Sequence, residues 1–233
     1  MNPLGDFDVD RSRPVAEQVY AKLRSEIISL NLKPGHVLSE SELASWLGVS
    51  RTPIRQAVKK LEEEGFVDSV PHLGTFVSQL RIEALIEAQF VRESLECALI
   101  KLAAKRINAA SEVALRGILE QQEEAFASND FLRFYALDQE FHKFVCSLAG
   151  MPGIWKTVEV VAAHLNRVRR LSLPLPSVPT EIVGQHWDIF NSLVERDPAG
   201  AERAMRKHLK NILKMLPNIQ DENQQFFKNI GPS

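Results

Sequence analysis

Apolar residues recur every three or four positions along most of the chain, a period that is typical of amphipathic helices. In the first third, this pattern predicts a helix from Ser12 to Leu30, which ends at a turn containing Pro34 and Gly35. Ser39 then begins a sequence that has the form of a helix-capping box. The remaining elements predicted here are helices at about 39–46 and 50–64 and β-strands at about 66–70 and 75–78.

From Arg81 onward, long helical patterns replace the short β-prone runs. Breaks between them fall at glycines, prolines and short polar segments, among them 173–179 and Pro217. The chain is therefore predicted to be mainly α, with a small helical unit and hairpin followed by an all-helical bundle. The predicted helices of this second part lie at about 81–107, 111–127, 130–149, 153–172, 179–196 and 198–216, with a weaker one at about 219–228.

These patterns divide the chain into a flexible arm at 1–14, a small domain at 15–79 and a helical domain at 80–228. No apolar run approaches the roughly 20 residues of a membrane-spanning helix, and the first residues lack the features of a signal peptide. We therefore expect a cytoplasmic protein without a membrane partner. Cys97 and Cys146 are too few for a disulfide framework, which indicates reduced thiols.

The formal net charge of −2 does not by itself indicate nucleic-acid binding. The third predicted helix is nevertheless locally basic, because it has no acidic residue between Arg51 and Lys60 and also carries Arg55 and Lys59. Charge concentrated on one face matters more for binding DNA than the sum over the chain.

The second and third helices, joined by a turn at Gly48, form a helix-turn-helix pattern. In such units the start of the second helix reaches base edges in the major groove, and an arginine there hydrogen-bonds guanine with two donors. Arg51 and Arg55 lie four positions apart on one face, while Ser50 and Thr52 suit phosphate oxygens. The alternative is that Ser50 and Thr52 only cap the helix and that the arginines form a solvated face.

The segment from Leu38 to Val67, followed by Pro71 and the run Gly74-Thr75-Phe76-Val77, resembles the GntR family of regulators over about residues 15–79. The resemblance implies a winged helix-turn-helix domain with the wing at the hairpin. It also implies DNA contacts at Ser50, Arg51, Thr52, Arg55 and Gly74.

Two positions depart from the GntR pattern. Gln56 stands where the family usually has an acid, and Ser41 stands where some members have a DNA-contacting arginine. The sequence of the operator therefore does not follow from the resemblance.

In the helical domain, polar residues interrupt apolar stripes. Arg92 lies within the stripe of the first helix of this domain, and a buried guanidinium requires an anion. Glu96, one turn later, is one candidate for this anion, and the carboxylate of an incoming ligand is another. The helix predicted at 153–172 carries a group of polar and cationic residues, which indicates a mostly solvated face. At most one of these side chains is expected to assist in binding an acid: Asn166, Arg167, Arg169 or Arg170.

Asp138, His142, His186 and His208 occupy apolar faces of three other predicted helices. One carboxylate and three imidazoles suit a divalent metal ion, with zinc or nickel first and manganese or iron as alternatives. The spacing alone leaves open that these histidines are hydrogen-bonded residues of the core.

The helical half resembles the FadR C-terminal (FCD) domain over about residues 80–216, most clearly in the segment from His186 to Leu209. In that domain an Asp and three His bind a metal beneath an effector cavity, and Asp138, His142, His186 and His208 match these positions. The resemblance therefore implies a metal-containing regulator of the FadR subfamily rather than an enzyme.

Together, the residues and the two resemblances predict a homodimeric transcriptional regulator that binds a pseudo-palindromic operator. A small carboxylic acid is expected to coordinate the metal, pair with Arg92 and change the affinity for DNA. Two alternatives remain open from the residues. In the first, the protein is a regulator for which the metal itself is the signal. In the second, the protein is a hydrolase in which the metal activates water.

Overall fold

A computed structural model describes residues 4–172 and 178–228, which form two compact units. One unit contains the chain up to Ala84 together with the segment from Gln220 onward, and the other contains Leu85–Ile219. The expected break at 173–179 lies largely outside the described residues.

Among its described residues, the first unit has three complete α-helices and one hairpin. Its helices pack through buried apolar faces, and α1 lies against α3. The two strands are antiparallel, with Val67 opposite Val77 and Val70 opposite Gly74. The elements are α1 (Val15–Ile28), α2 (Glu40–Leu47), α3 (Arg51–Glu63), β1 (Val67–Val70) and β2 (Gly74–Val77).

Local sequence signals explain the boundaries of α2. The hydroxyl of Ser39 accepts a hydrogen bond from the backbone N–H of Glu42, so this side chain caps the helix. Gly48 ends α2 with φ +64°, a left-handed conformation that glycine adopts without strain. Ser39 thus sets the start of α2, and Gly48 sets its end and the turn that leads into α3.

The second unit is a bundle of α-helices. Its apolar core includes Ile100 of α4, Phe141 of α6 and Phe190 of α9, and α5 packs against α6 and α9. The helices are α4 (Ile82–Ala104), α5 (Ala109–Ala127), α6 (Phe131–Leu148), α7 (Ile154–Val161), α8 (Ala163–Ser172), α9 (Val178–Val194) and α10 (Pro198–Glu222).

Two sequence-based expectations for these helices were wrong. The helix expected at 153–172 is divided at Ala162 into α7 and α8, although neither glycine nor proline marks the division. Helix α10 continues through Pro217 to Glu222, although a break was expected at the proline. Proline removes one backbone donor, and α10 accommodates this loss while burying Leu216 and Ile219 on either side.

The segment after α10 groups with the first unit, whereas the sequence had assigned residues up to 228 to the helical domain. Its 3₁₀ turn spans Gln224–Phe226. The backbone N–H of Leu80 donates to the carbonyl of Phe226, and the N–H of Lys228 donates to the carbonyl of Leu80. These long-range backbone bonds leave no periodic signal in the sequence.

Part of the arm expected to be flexible makes defined contacts. Leu4 is buried, and the side-chain amide of Gln18 donates to the carbonyls of Asp10 and Arg13. The Asp10 carboxylate accepts from the hydroxyl of Ser12. The arm is thus hydrogen-bonded to α1 along its last residues.

Candidate metal centre and nucleic-acid interface

Three helices of the bundle bring the four predicted metal ligands together. Asp138 and His142 project from α6, His186 from α9 and His208 from α10. Their candidate ligand atoms all lie within 4.8 Å of one another, and all four residues are buried. The D-x-x-x-H spacing places the first two on adjacent turns of one face, which is why they converge.

The three imidazoles turn the same ring nitrogen toward a common centre. His208 Nε2 lies 3.3 Å from His186 Nε2 and 3.2 Å from His142 Nε2. Two imidazole nitrogens bound to one zinc ion at about 2.1 Å lie roughly 3.0–3.4 Å apart, depending on the coordination geometry. The spacing of the imidazoles therefore fits a single metal ion.

The opposite nitrogen of each imidazole faces an oxygen. His142 Nδ1 lies 2.5 Å from Glu96 Oε2, and His186 Nδ1 lies 2.8 Å from Gln122 Oε1. His208 Nδ1 lies 3.1 Å from Gln185 Oε1. With Nδ1–H donors, His186 and His208 satisfy the two amide oxygens, whereas the close His142–Glu96 contact lacks hydrogen-bond geometry. The three Nε2 lone pairs then point at one another, an arrangement that a cation stabilises.

Asp138 supplies the fourth candidate ligand. Its Oδ2 accepts from Gln139 Nε2 at 3.0 Å and also pairs with the guanidinium of Arg169. Its Oδ1 lies 3.7 Å from His186 Nε2 and has no hydrogen-bond partner among the described residues. A buried carboxylate oxygen without a partner is costly, and a metal ion at the centre would satisfy it.

The protonation states at the site suit metal binding. Burial alone would raise the pKa of Asp138, but Arg169 and the three histidines hold it well below its usual range. Burial lowers the pKa of His186 to about 3 and lowers that of His208 well below its usual value. An ionised carboxylate and neutral imidazoles are the forms that coordinate divalent metals. The residues present therefore fit the metal that the FCD resemblance implies.

Arg92 is buried and pairs with Glu96, with 2.5 Å between Nε and Oε1. Of the two anions considered from the sequence, the structure thus shows the internal one. Burial would raise the pKa of Glu96, but Arg92 and His142 bring it to about 2. Arg92, Glu96 and His142 consequently form a continuous polar chain from α4 to the candidate metal centre.

A small cavity lies against this centre. Its free volume is about 30 Å³, room for about two water molecules but not for an organic acid. An acid would therefore have to displace a side chain that now fills the space. Both polar and apolar residues line the cavity, among them Arg92, Tyr135, Asp138, Arg169, Ile182 and His208.

The prediction of a mostly solvated face on α8 was wrong. Asn166, Arg167 and Arg169 are buried, and only Arg170 is partly exposed. Arg169 pairs with Asp138, and its Nη1 is buried without a hydrogen-bond partner among the described residues. Sequence periodicity did not single out Arg169 among these four residues, because its anionic partner Asp138 lies on another helix.

The predicted DNA contacts lie at the start of α3 and on the hairpin. Ser50 is the residue before α3, and its side chain makes no capping hydrogen bond within the part of the chain that the structure describes. Arg51 and Thr52 are exposed in the first turn. Arg55 is 71% exposed and pairs with Glu40 of α2, with 3.0 Å between Nη2 and Oε2.

Gly74 begins β2 at the hairpin turn, with φ +123°. This conformation suits glycine and presents the backbone at the edge of the wing. The structure thus places Gly74 and the start of α3 in the same unit, as separate exposed segments.

Gln122 and Gln185 were not identified from the sequence, although both contact candidate metal ligands. Gln122 lies on α5, which contributes no ligand, and Gln185 precedes a ligand in the chain. A glutamine on an otherwise apolar face of α5 was the available signal for Gln122. No comparable signal marks Gln185.

A helix-turn-helix with a β-hairpin wing, followed by a helical bundle with a buried polar cluster, defines a two-domain transcriptional regulator. Comparison with protein-family models specifies the class. Residues 15–77 match the bacterial regulatory proteins of the gntR family, and residues 87–211 match the FCD domain. The chain belongs to the GntR family of transcriptional regulators and carries an FCD domain.

Individual relatives agree with this assignment. The HTH-type transcriptional repressor RspR of Escherichia coli (strain K12) is 34% identical over 95% of this chain and 97% of its own length. An HTH-type transcriptional regulator in an unstable DNA locus of Streptomyces ambofaciens is 36% identical over 90% of this chain and 88% of its own. These relatives are regulators, not enzymes, so the hydrolase alternative has no support among them.

The fold is shared with a solved structure, E. coli McbR/YncC. The TM-score is 0.75 at 21% sequence identity, over 91% of this chain and 100% of that one.

None of the helices in the described part of the chain combines the length and apolarity needed to span a membrane.

Proposed function

We propose that this chain is an operator-binding regulator whose affinity for DNA responds to a small carboxylic acid bound beside a divalent metal ion. The observation that carries the proposal is the convergence of three imidazole Nε2 atoms and an unpartnered carboxylate oxygen next to a cavity lined by two arginines. Such a set binds a metal, and the adjoining arginines bind an anion.

Asp138, His142, His186 and His208 would hold the metal. Three nitrogens and one oxygen suit zinc or nickel, and manganese or iron accept the same set. When bound, the metal would supply a Lewis-acidic centre for a carboxylate oxygen of the effector. These four ligands leave coordination positions open for that purpose in a five- or six-coordinate ion.

The charge balance of the site favours an acidic effector. Arg92 and Arg169 are offset by Glu96 and Asp138, and burial lowers the pKa values of His186 and His208 so that these rings are neutral. A divalent cation would therefore leave an excess of about two positive charges in a buried space. A carboxylate anion reduces that excess, and a neutral ligand does not.

Arg169 is the side chain best placed to exchange partners when an acid binds. It lines the cavity and now pairs with Asp138. Transfer of its guanidinium from Asp138 to the carboxylate of the effector would leave Asp138 to the metal. This exchange would give the Arg169 side chain two alternative partners, and a ligand that favours one of them shifts the balance between two states.

In the DNA-binding unit, Arg51 and Arg55 would read base edges, while Ser50, Thr52 and the backbone at Gly74 would contact phosphates or the minor groove. One recognition helix covers few base pairs. A homodimer with twofold symmetry would join two half-sites of a pseudo-palindromic operator.

A regulator that senses the metal itself is the second candidate, because the same four ligands would serve it. Titration of a DNA fragment selected by the protein from a random pool distinguishes the two. The DNA affinity would be measured by fluorescence anisotropy with chelator, with zinc, and with zinc plus acetate, lactate or succinate. We expect little change on adding zinc and a change of about 5-fold or more on adding an acid. A large response to zinc that no acid alters would replace the acid sensor by a metal sensor.

A further inference from the structure

Each candidate metal-binding imidazole has an oxygen of a different side chain close to its Nδ1 atom. Glu96 of α4 faces His142, Gln122 of α5 faces His186, and Gln185 of α9 faces His208. The distances from Nδ1 to oxygen lie between 2.5 and 3.1 Å. The three contacts thus place one acceptor behind every ring, on the side away from the common centre.

We propose that Glu96, Gln122 and Gln185 are positioning residues that fix the three imidazoles in the Nδ1–H tautomer and direct their Nε2 lone pairs at one metal ion. This inference rests on the proposed metal site and extends it to residues that coordinate nothing. An acceptor at Nδ1 selects the tautomer, orients the ring and raises the basicity of the ligating nitrogen. In metal sites, removing such a partner typically costs 10- to 100-fold in affinity.

Gln122 provides the strongest support. It is fully buried on α5, and its Oε1 contacts His186 while its Nε2 has no hydrogen-bond partner among the described residues. A half-satisfied amide destabilises the fold relative to an apolar side chain of the same size. Stability alone would favour leucine at this position, so the contact with His186 gives the amide a function.

Glu96 differs from the two glutamines because it is charged. One oxygen faces His142, and the other accepts from Arg92, which balances the buried carboxylate. An anionic acceptor strengthens the neighbouring imidazole as a ligand more than a neutral amide does. The Glu96–His142 contact is close but lacks hydrogen-bond geometry, so Glu96 acts on this ring chiefly through its charge.

Gln122→Leu tests the proposal by removing the acceptor at nearly constant volume. Zinc affinity of the full chain would be measured by competition with a chromophoric chelator. We expect a loss of about 10- to 100-fold, whereas Gln122→Glu, which retains an acceptor oxygen, keeps the affinity near that of the wild type or above it. The matched control is Gln121→Leu on the exposed face of α5, where the side-chain amide donates to the carbonyl of Gly117.

If Gln122→Leu remains folded by circular dichroism and binds zinc within twofold of the wild type, the positioning role of Gln122 is overturned. If the wild type binds no zinc, the proposed metal site itself is overturned. The two failures are therefore distinguishable.

A second measurement requires no substitution. Long-range ¹H–¹⁵N correlation spectra of the wild-type chain, with chelator and with zinc, report which ring nitrogen of each histidine carries the proton. We expect Nδ1–H for His142, His186 and His208 in both conditions. An Nε2–H tautomer at His186 or His208 in the chelator-treated chain would contradict the proposal, because the amide oxygens would then not select the tautomer.

Discussion

At the scale of single residues, the charged side chains of the two units act in opposite environments. Arg55 is mostly exposed, so its pair with Glu40 is screened by solvent and leaves the guanidinium available to DNA. Asp138 and Arg169 are buried, so removal of either side chain leaves the other as an uncompensated buried charge. Substitutions in the first unit should therefore affect binding, whereas those in the second should also affect stability.

Arg55→Ala should abolish specific operator binding and leave the thermal midpoint of unfolding nearly unchanged. Arg55→Lys keeps the charge but loses bidentate geometry, so it should retain non-specific binding and lose discrimination between operators. Anisotropy titrations with the selected fragment and with scrambled DNA measure both effects. Arg203→Ala, at an exposed arginine of the second unit, is the control. Unchanged specificity in Arg55→Ala would show that α3 is not the DNA-recognition helix.

Arg169→Met should separate the roles of the arginine and the metal. In metal-free protein it leaves Asp138 without its cation, and we expect a loss of about 3–5 kcal/mol in the free energy of unfolding. Zinc should restore much of this loss and bind at least as tightly as in the wild type, while the response of DNA binding to acids disappears. Denaturant titrations with and without zinc measure the stability. Weaker zinc binding would show that Arg169 supports the site instead of competing for Asp138.

The candidate site could be predicted in part from single residues. Asp138, His142, His186 and His208 interrupt apolar stripes, and helical spacing places them inside the bundle. The stripes do not reveal which helices face one another, so the partners of Arg169 and Gln122 could not be assigned. Both residues acquire their roles only through contacts between helices far apart in sequence.

At the scale of elements, the predicted and observed helices agree where caps and breaks are strong, as at Ser39 and Gly48 of α2. They disagree where tertiary packing overrides local signals. Helix α10 extends beyond its proline, and the division between α7 and α8 has no turn residue. These helices carry His208 and Arg169, so their irregularities lie in elements that form the site.

Pro217→Ala tests how α10 accommodates its proline. Pro217 is exposed, and alanine restores a backbone donor in the helix interior, so we expect the free energy of unfolding to rise by up to about 3 kcal/mol. Denaturant unfolding monitored by circular dichroism measures it. Asn218→Ala, at an exposed neighbour, should raise it by less than about 0.7 kcal/mol. A decrease in Pro217→Ala would indicate that α10 requires the geometry that proline imposes.

At the scale of the whole molecule, metal, acid and operator are linked equilibria. A ligand that binds only the folded chain stabilises it by RT ln(1 + [L]/Kd), and an effector that changes DNA affinity must itself bind differently when DNA is present. The same reciprocity applies whether the acid favours release from the operator or binding to it.

Removal of the metal should lower the thermal midpoint of unfolding. At a free zinc concentration of about 100 times Kd, the expected stabilisation is about 2.7 kcal/mol, and chelator should reverse it. Thermal scans with zinc, with chelator and with zinc added back measure the effect. Equal midpoints in all three conditions would contradict binding of zinc to the folded chain.

Elemental analysis of the purified chain tests the central claim most directly. After equilibration with zinc and removal of excess metal, we expect about one ion per wild-type chain and close to none in the double variant His186→Ala/His208→Ala. An exposed-histidine control, His72→Ala, should retain the wild-type content. A wild-type chain without metal, or a double variant with full occupancy, would contradict the assignment of Asp138, His142, His186 and His208 as one metal centre.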